Sequence, residues 1–118
     1  MTNPAKAKGS QFERDTVHYL QQNGFPSAER MYGAGRPDDR GDVTGIQVIL
    51  EVKNLKTITL SSIMDEVAVE KGHAKMDLGL AVIKRRGKGA AYAYAVFTLE
   101  DAAKLLLEAG YGPKAKAA

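Results

Sequence analysis

The stretch Gly41-Asp42-Val43-Thr44-Gly45-Ile46-Gln47-Val48-Ile49-Leu50-Glu51-Val52-Lys53 decides how this chain folds. Its second half alternates as a strand does: Ile46, Val48, Leu50 and Val52 face one way, Gln47, Ile49, Glu51 and Lys53 the other. Asp42-Val43 begins a shorter strand, joined to the longer one at Thr44-Gly45. Period-two geometry sets Glu51 and Lys53 on one face, roughly 6.5 Å apart along the strand. Ile49 shares that face, so part of it is expected to be covered. Burying an acid beside an amine is costly unless they pair or bind an ion.

Outward from this core, a first helix is predicted over about residues 11–22. Ser10 and Glu13 have capping-box spacing, and Gly24 stops the helix. An extended piece, roughly 28–32, follows Pro26. Residues 33–41, rich in breakers and in charges of both signs, read as a mobile loop. A second helix should start near Ser61 or Ser62 and reach about Met76, with Ile63, Met64 and Val67 facing inward. Strands over about 78–84 and 91–97 flank Arg85-Arg86-Gly87-Lys88-Gly89 as a hairpin. Thr98, with Asp101 three residues on, caps a last helix ending at Gly110. The order αβββαββα predicts an α/β fold, a mixed sheet with helices packed on it.

The chain has 118 residues, a formal charge of +3, 44% apolar and 26% charged residues. That suits a single domain spanning 1–118, with basic tails at 1–8 and 112–118 expected to fray. Ample Val, Ile, Leu and Tyr exclude intrinsic disorder for the body. No apolar stretch reaches membrane-spanning length and no h-region opens the chain, so neither a membrane span nor a secretory signal is expected. Without Cys there is no disulfide and no thiolate metal site. A cytoplasmic setting is the default expectation. The modest positive balance allows a polyanionic partner without demanding one.

Asp42 lies at the mouth of the neighbouring strand, within reach of Glu51. Two carboxylates that close repel each other, and a hard divalent cation relieves the repulsion. Mg²⁺ favours one or two carboxylates with waters and phosphate oxygens, and the Val52 carbonyl is a further oxygen ligand. The Lys53 ammonium is then placed to orient or deprotonate an attacking water and to stabilise charge on a phosphate. E-x-K alone also fits an ordinary ion pair on an amphipathic strand; the Gly-Asp-apolar turn upstream favours the site. Glu13 either caps its helix or serves the metal, directly or through water, because it falls in line with Val17 and Leu20 in the apolar stripe. Pro37-Asp38 offers a literal Pro-Asp pair that competes for the upstream acid position. Asp42 is preferred because Val43 starts a strand that fixes it, whereas Asp38 and Asp39 sit mid-loop.

Cations are placed to meet a phosphate backbone without reading bases: Arg36 and Arg40 before the site, Lys56 after it, and Lys84, Arg85, Arg86 and Lys88 in one hairpin. The alternative for such a run is a solvated turn, although like charges so close repel without an anion nearby. Lys71 and Lys75 fall on the second helix, Lys71 with a place near the site. His18 and His73 read as surface residues. Tyr92 and Tyr94 share a strand face and read as core or dimer interface.

Lys8-Gly9-Ser10-Gln11-Phe12-Glu13-Arg14, Leu20, Gly24-Phe25, Arg30, Gly41-Asp42-Val43 and Glu51-Val52-Lys53-Asn54 together resemble the archaeal-type Holliday junction resolvases and their phage relatives, within the PD-(D/E)xK nuclease superfamily. The likeness covers about residues 8–54, and Gly79-Leu80-Ala81-Val82-Ile83-Lys84 fits the same core more loosely. It implies a restriction-endonuclease-like core and a Mg²⁺-dependent, homodimeric endonuclease cutting branched DNA, with Mn²⁺ substituting and 5′-phosphate ends left. The family's active-site acids and lysine map onto Glu13, Asp42, Glu51 and Lys53. A phage-encoded member would act in the host cytoplasm. The loop Gly33-Ala34-Gly35 lacks a Ser that family members often carry. Two other readings stand beside this one. The same chemistry suits a monomeric flap, single-strand or nicking nuclease. The same fold and basic surface suit a non-catalytic DNA-binding module.

Overall fold

A computed structural model describes residues 4–31 and 41–114 of the chain. Residues 33–40 of the predicted loop, with Arg36, Asp38, Asp39 and Arg40, lie outside the described residues. The elements run α1 (Pro4–Gln22), β1 (Glu29–Arg30), β2 (Val43–Thr44), β3 (Ile49–Lys53), α2 (Leu60–Ala74), β4 (Gly79–Ile83), a 3₁₀ turn (Ala90–Tyr92), β5 (Tyr94–Val96) and α3 (Leu99–Glu108). This is the predicted order, a mixed α/β fold with a small mixed sheet flanked by helices.

β3 lies parallel to β4, with Glu51 opposite Ala81 and Lys53 opposite Ile83, and β5 returns antiparallel to β4. β1 and β2 form a separate two-residue antiparallel pair. The predicted alternation of β3 decides the layering. Leu50 and Val52 join Phe12 and Val17 of α1 with Ala28, Val43 and Val82, while Ile46 and Val48 pack against that cluster. Ile49 joins Ile63 and Val67 of α2 with Ala81 and Ile83 on the other face. A strand covered on both faces is the parallel-sheet pattern. Glu51 and Lys53 therefore point to the α2 side.

Several boundaries differ from expectation. α1 begins at Pro4, so Ser10 is inside the helix and caps nothing, and residues 4–8 are helical instead of frayed. Pro is tolerated in a first turn, and Ala5, Lys6, Ala7 and Lys8 are good helix formers. Gly9 has open space around it and interrupts the propensity without breaking the helix. The strand pieces are shorter than the apolar runs that suggested them, and a 3₁₀ turn at residues 90–92 takes in Ala91 and Tyr92, where strand was expected. Thr98 does cap α3, its side chain accepting from the Asp101 amide at 3.3 Å. Asp101 itself is buried, taking the Lys71 ammonium at 2.7 Å and the Gly79 amide at 3.1 Å. Lys71 thus ties α2 to α3, away from the place near the site first expected for it.

Candidate metal centre

Gly41 has φ +95°, and a Cβ there would stand 2.9 Å from the Leu50 carbonyl. Only glycine accepts both conditions, and they bring Asp42 against the free edge of β3. The Asp42 amide donates to the Leu50 carbonyl at 2.8 Å, and its carboxylate Oδ2 accepts from the Val52 amide at 2.7 Å. Its carbonyl accepts from the Met31 amide at 2.8 Å. One aspartate so substitutes for a neighbouring strand and is fixed beside the strand that carries Glu51 and Lys53.

Glu51 is 3% exposed. Its Oε2 lies 3.4 Å from the Lys53 ammonium, which also reaches Glu66 Oε2 at 3.1 Å. The Glu51 Oε1 is buried and has no hydrogen-bond donor among the described residues. Burial pushes the Glu51 carboxyl up to about 11, helped by side-chain hydrogen bonding to Glu70 and Glu66 and by repulsion from Asp42 and Glu70. Such a carboxyl holds a proton at neutral pH until a cation displaces it. For Lys53, burial pulls downward but is outweighed by the Glu66 hydrogen bond and by the charges of Glu51 and Glu66, so the ammonium is held above its ordinary value. Glu66 is lowered by its hydrogen bond with Glu51 and by Lys53.

The structure brings Glu51 and Lys53 together and sets Asp42 alongside. It places Glu13 differently. Glu13 is on α1, which covers the opposite face of β3, and is half-buried beside Arg30. Arg30 donates to its Oε2 from Nη2 at 2.8 Å and from Nε at 3.2 Å. The expected capping role falls away with the longer α1. Val52 uses its amide toward Asp42.

Sequence reasoning missed two acids. Glu66 and Glu70 of α2 stand with Glu51 so that one ligand oxygen from each lies within 4.8 Å of the others. Glu70 follows Val67 by three residues and Ile63 by seven, in the buried stripe of α2. The stripe rule that drew attention to Glu13 would have found it.

Of the expected DNA-contacting cations, Lys84 is folded inward: its ammonium donates to the Arg85 and Lys88 carbonyls at 3.0 and 2.7 Å and stands 5.8 Å from the Phe12 ring. Arg85 lies over the Tyr94 ring at 5.1 Å. Lys56, Arg86 and Lys88 are exposed. Lys8, Lys56, Lys84 and Arg86 line one cavity of about 440 Å³ just beyond the end of β3. Neither His18 nor His73 is buried, and Tyr92 and Tyr94 are 64% and 57% exposed, which removes the core reading for both tyrosines. No helix among the described residues is long and apolar enough to cross a membrane. Comparison with known protein families, with characterised proteins and with solved structures finds no match.

Proposed function

We propose that this chain is a divalent-metal-dependent endonuclease with a PD-(D/E)xK-type site, acting on branched DNA as the resolvases it resembles do. The observation that carries the reading is the fixed Asp42 beside a buried Glu51 whose second oxygen lacks a donor, with Lys53 on the same strand face. A buried carboxyl oxygen without a donor, gathered against other acids, is answered by a shared proton or by a hard cation that displaces it. Asp42, Glu51 and the Val52 carbonyl would hold Mg²⁺ or Mn²⁺. Glu13, across the strand and paired with Arg30, would meet that cation only through water. The bound cation supplies Lewis acidity at a phosphoryl oxygen and a more acidic water.

The remaining work falls to the chain's own groups. The Lys53 ammonium, at the strand end nearest the basic cavity, faces the scissile phosphate and stabilises the charge that grows on its oxygens. Lys8, Lys56 and Arg86 hold flanking phosphates, joined by Arg36, Arg40, Arg85 and Lys88 along the DNA, while Lys84, its ammonium held by two backbone carbonyls, braces the hairpin. Water attacks phosphorus, the bond to the 3′ oxygen breaks, that oxygen takes a proton, and a 5′-phosphate remains. Paired incisions across a junction need two sites related by a two-fold axis. A homodimer is supported by the apolar hollow of about 680 Å³ edged by Tyr19, Phe25, Ile46, Val48, Leu80 and Phe97, and by the outward leucines of α3.

The test is cleavage of a synthetic four-way junction with Mg²⁺ or Mn²⁺. Glu51→Gln should lower the rate by about 10²–10³-fold or more while leaving junction binding intact. Wild-type protein that leaves junctions, flaps and single strands uncut overturns the proposal. Cutting only flaps or single strands keeps the chemistry and replaces the substrate.

A further inference from the structure

Helix α2 buries one acid, Glu70, that a solvated surface helix has no need to bury, and carries a second, Glu66, one turn away at the surface. We infer that Glu70 and Glu66 are ligands of the divalent cation, forming with Glu51 a three-carboxylate site between β3 and α2. The inference rests on the metal-dependent reading above and extends its ligand set to a second element.

Three observations converge on it. Ligand oxygens of Glu51, Glu66 and Glu70 lie within 4.8 Å of one another. Oxygens on opposite sides of one Mg²⁺ or Ca²⁺ ion are about 4–5 Å apart, so the set is already spaced for a single hard cation. Second, the Glu51 side chain is 4% exposed and its Oε1 lacks a donor among the described residues. Lys53 does not serve that atom: it reaches Glu51 through Oε2 and divides its ammonium with Glu66. Third, the three acids differ in depth. Glu51 and Glu70 are buried at 3% and 1% exposure, whereas the Glu66 side chain is 46% exposed. A cation can enter at Glu66 with part of its water shell and settle against the inner pair.

The chemistry selects the ion. An all-carboxylate oxygen set suits Mg²⁺, Mn²⁺ or Ca²⁺ over softer metals, and the open side at Glu66 leaves positions for water or a phosphate oxygen. Asp42, held at the neighbouring edge by the Val52 amide, adds negative field from the β3 side.

The experiment is Mn²⁺ binding to the purified full-length chain near neutral pH without DNA, read by the loss of free Mn²⁺ signal in electron paramagnetic resonance. Wild type should bind, and Glu70→Gln and Glu66→Gln should each weaken binding at least about tenfold. Circular dichroism in chelator confirms that each variant is folded. If Glu70→Gln does not fold, the outer Glu66→Gln decides alone. Wild-type affinity in the folded α2 variants, or no wild-type binding at millimolar Mn²⁺, overturns the inference. If only Asp42→Asn and Glu51→Gln weaken binding, the nuclease reading survives and α2 is excluded. If the α2 variants weaken binding but no DNA is cut, the cation site stands and the nuclease reading falls.

Discussion

Helices α1 and α2 sandwich the same strand, and each carries a carboxylate within its apolar stripe. On α1, Glu13 sits among buried Phe12, Thr16 and Val17 and meets a guanidinium, that of Arg30 at 2.8 Å. On α2, Glu70 sits with buried Ile63 and Val67 and meets two further acids, Glu51 and Glu66. The stripe position is the same and the electrostatic outcome is opposite. An acid matched to a cation inside the fold is satisfied without a ligand. Acids gathered against one another favour a shared proton or an added cation, and that is the region where chemistry is expected.

The largest effect expected from this contrast is on pH dependence. The Glu51 carboxyl is held at about 11 in the fold against 4.5 as its ordinary value. The native state therefore keeps a proton that the unfolded chain loses, and without divalent metal its stability is greatest below the lower value and declines as pH rises toward the upper one. One such group accounts for at most about 1.4 kcal/mol per pH unit. Glu66, lowered in the fold, acts oppositely and only at the acid end, below its ordinary value. Urea midpoints in chelator should fall from weakly acid to alkaline buffer, and Glu51→Gln should flatten the trend. A flat wild-type profile would remove the basis for treating the α2 side as the charged centre.

A smaller effect separates the two helix acids directly. Glu70→Gln should reduce that alkaline decline, because Glu70 helps hold the Glu51 proton. Glu13→Gln should leave that alkaline decline unchanged and lower stability by about 0.5–1 kcal/mol in neutral buffer, as loss of a partly exposed ion pair does. Equal slopes in the two variants would break the comparison.

The smallest effect concerns the basic cavity beyond β3. Lys56→Ala and Arg86→Ala should weaken DNA binding alike across sequences, each reducing the slope of log affinity against log salt by about one. An unchanged slope would mean that phosphate lies elsewhere.

Much of the fold was legible because its signals are local. The β3 alternation, the αβββαββα order and the Thr98 cap of α3 each follow from spacings of a few residues. The α1 start was missed because Gly9-Ser10 imitates a helix boundary, while the helix-forming residues before it outweigh one glycine. The 3₁₀ turn at residues 90–92 was hidden because Ala and Tyr there suit strand and turn alike. Within the site, Glu51 and Lys53 on one strand face were readable from period two, and Asp42 from the strand that Val43 starts after it. Glu70 carried a signal that went unread, its place in the Ile63–Val67 stripe, whereas Glu66 stood outside that stripe and was readable only as an ordinary residue of a helix.

By itself, then, the sequence determined which side chains share a face of a strand or helix, since backbone periodicity sets that without regard to neighbours. Tertiary structure alone decided which charges meet: Arg30 crossing to Glu13, Lys71 drawn to Asp101, and the α2 acids closing on Glu51. The reason is physical. Charge pairing acts across a few ångströms of space, and only chain packing determines which distant segments come that near.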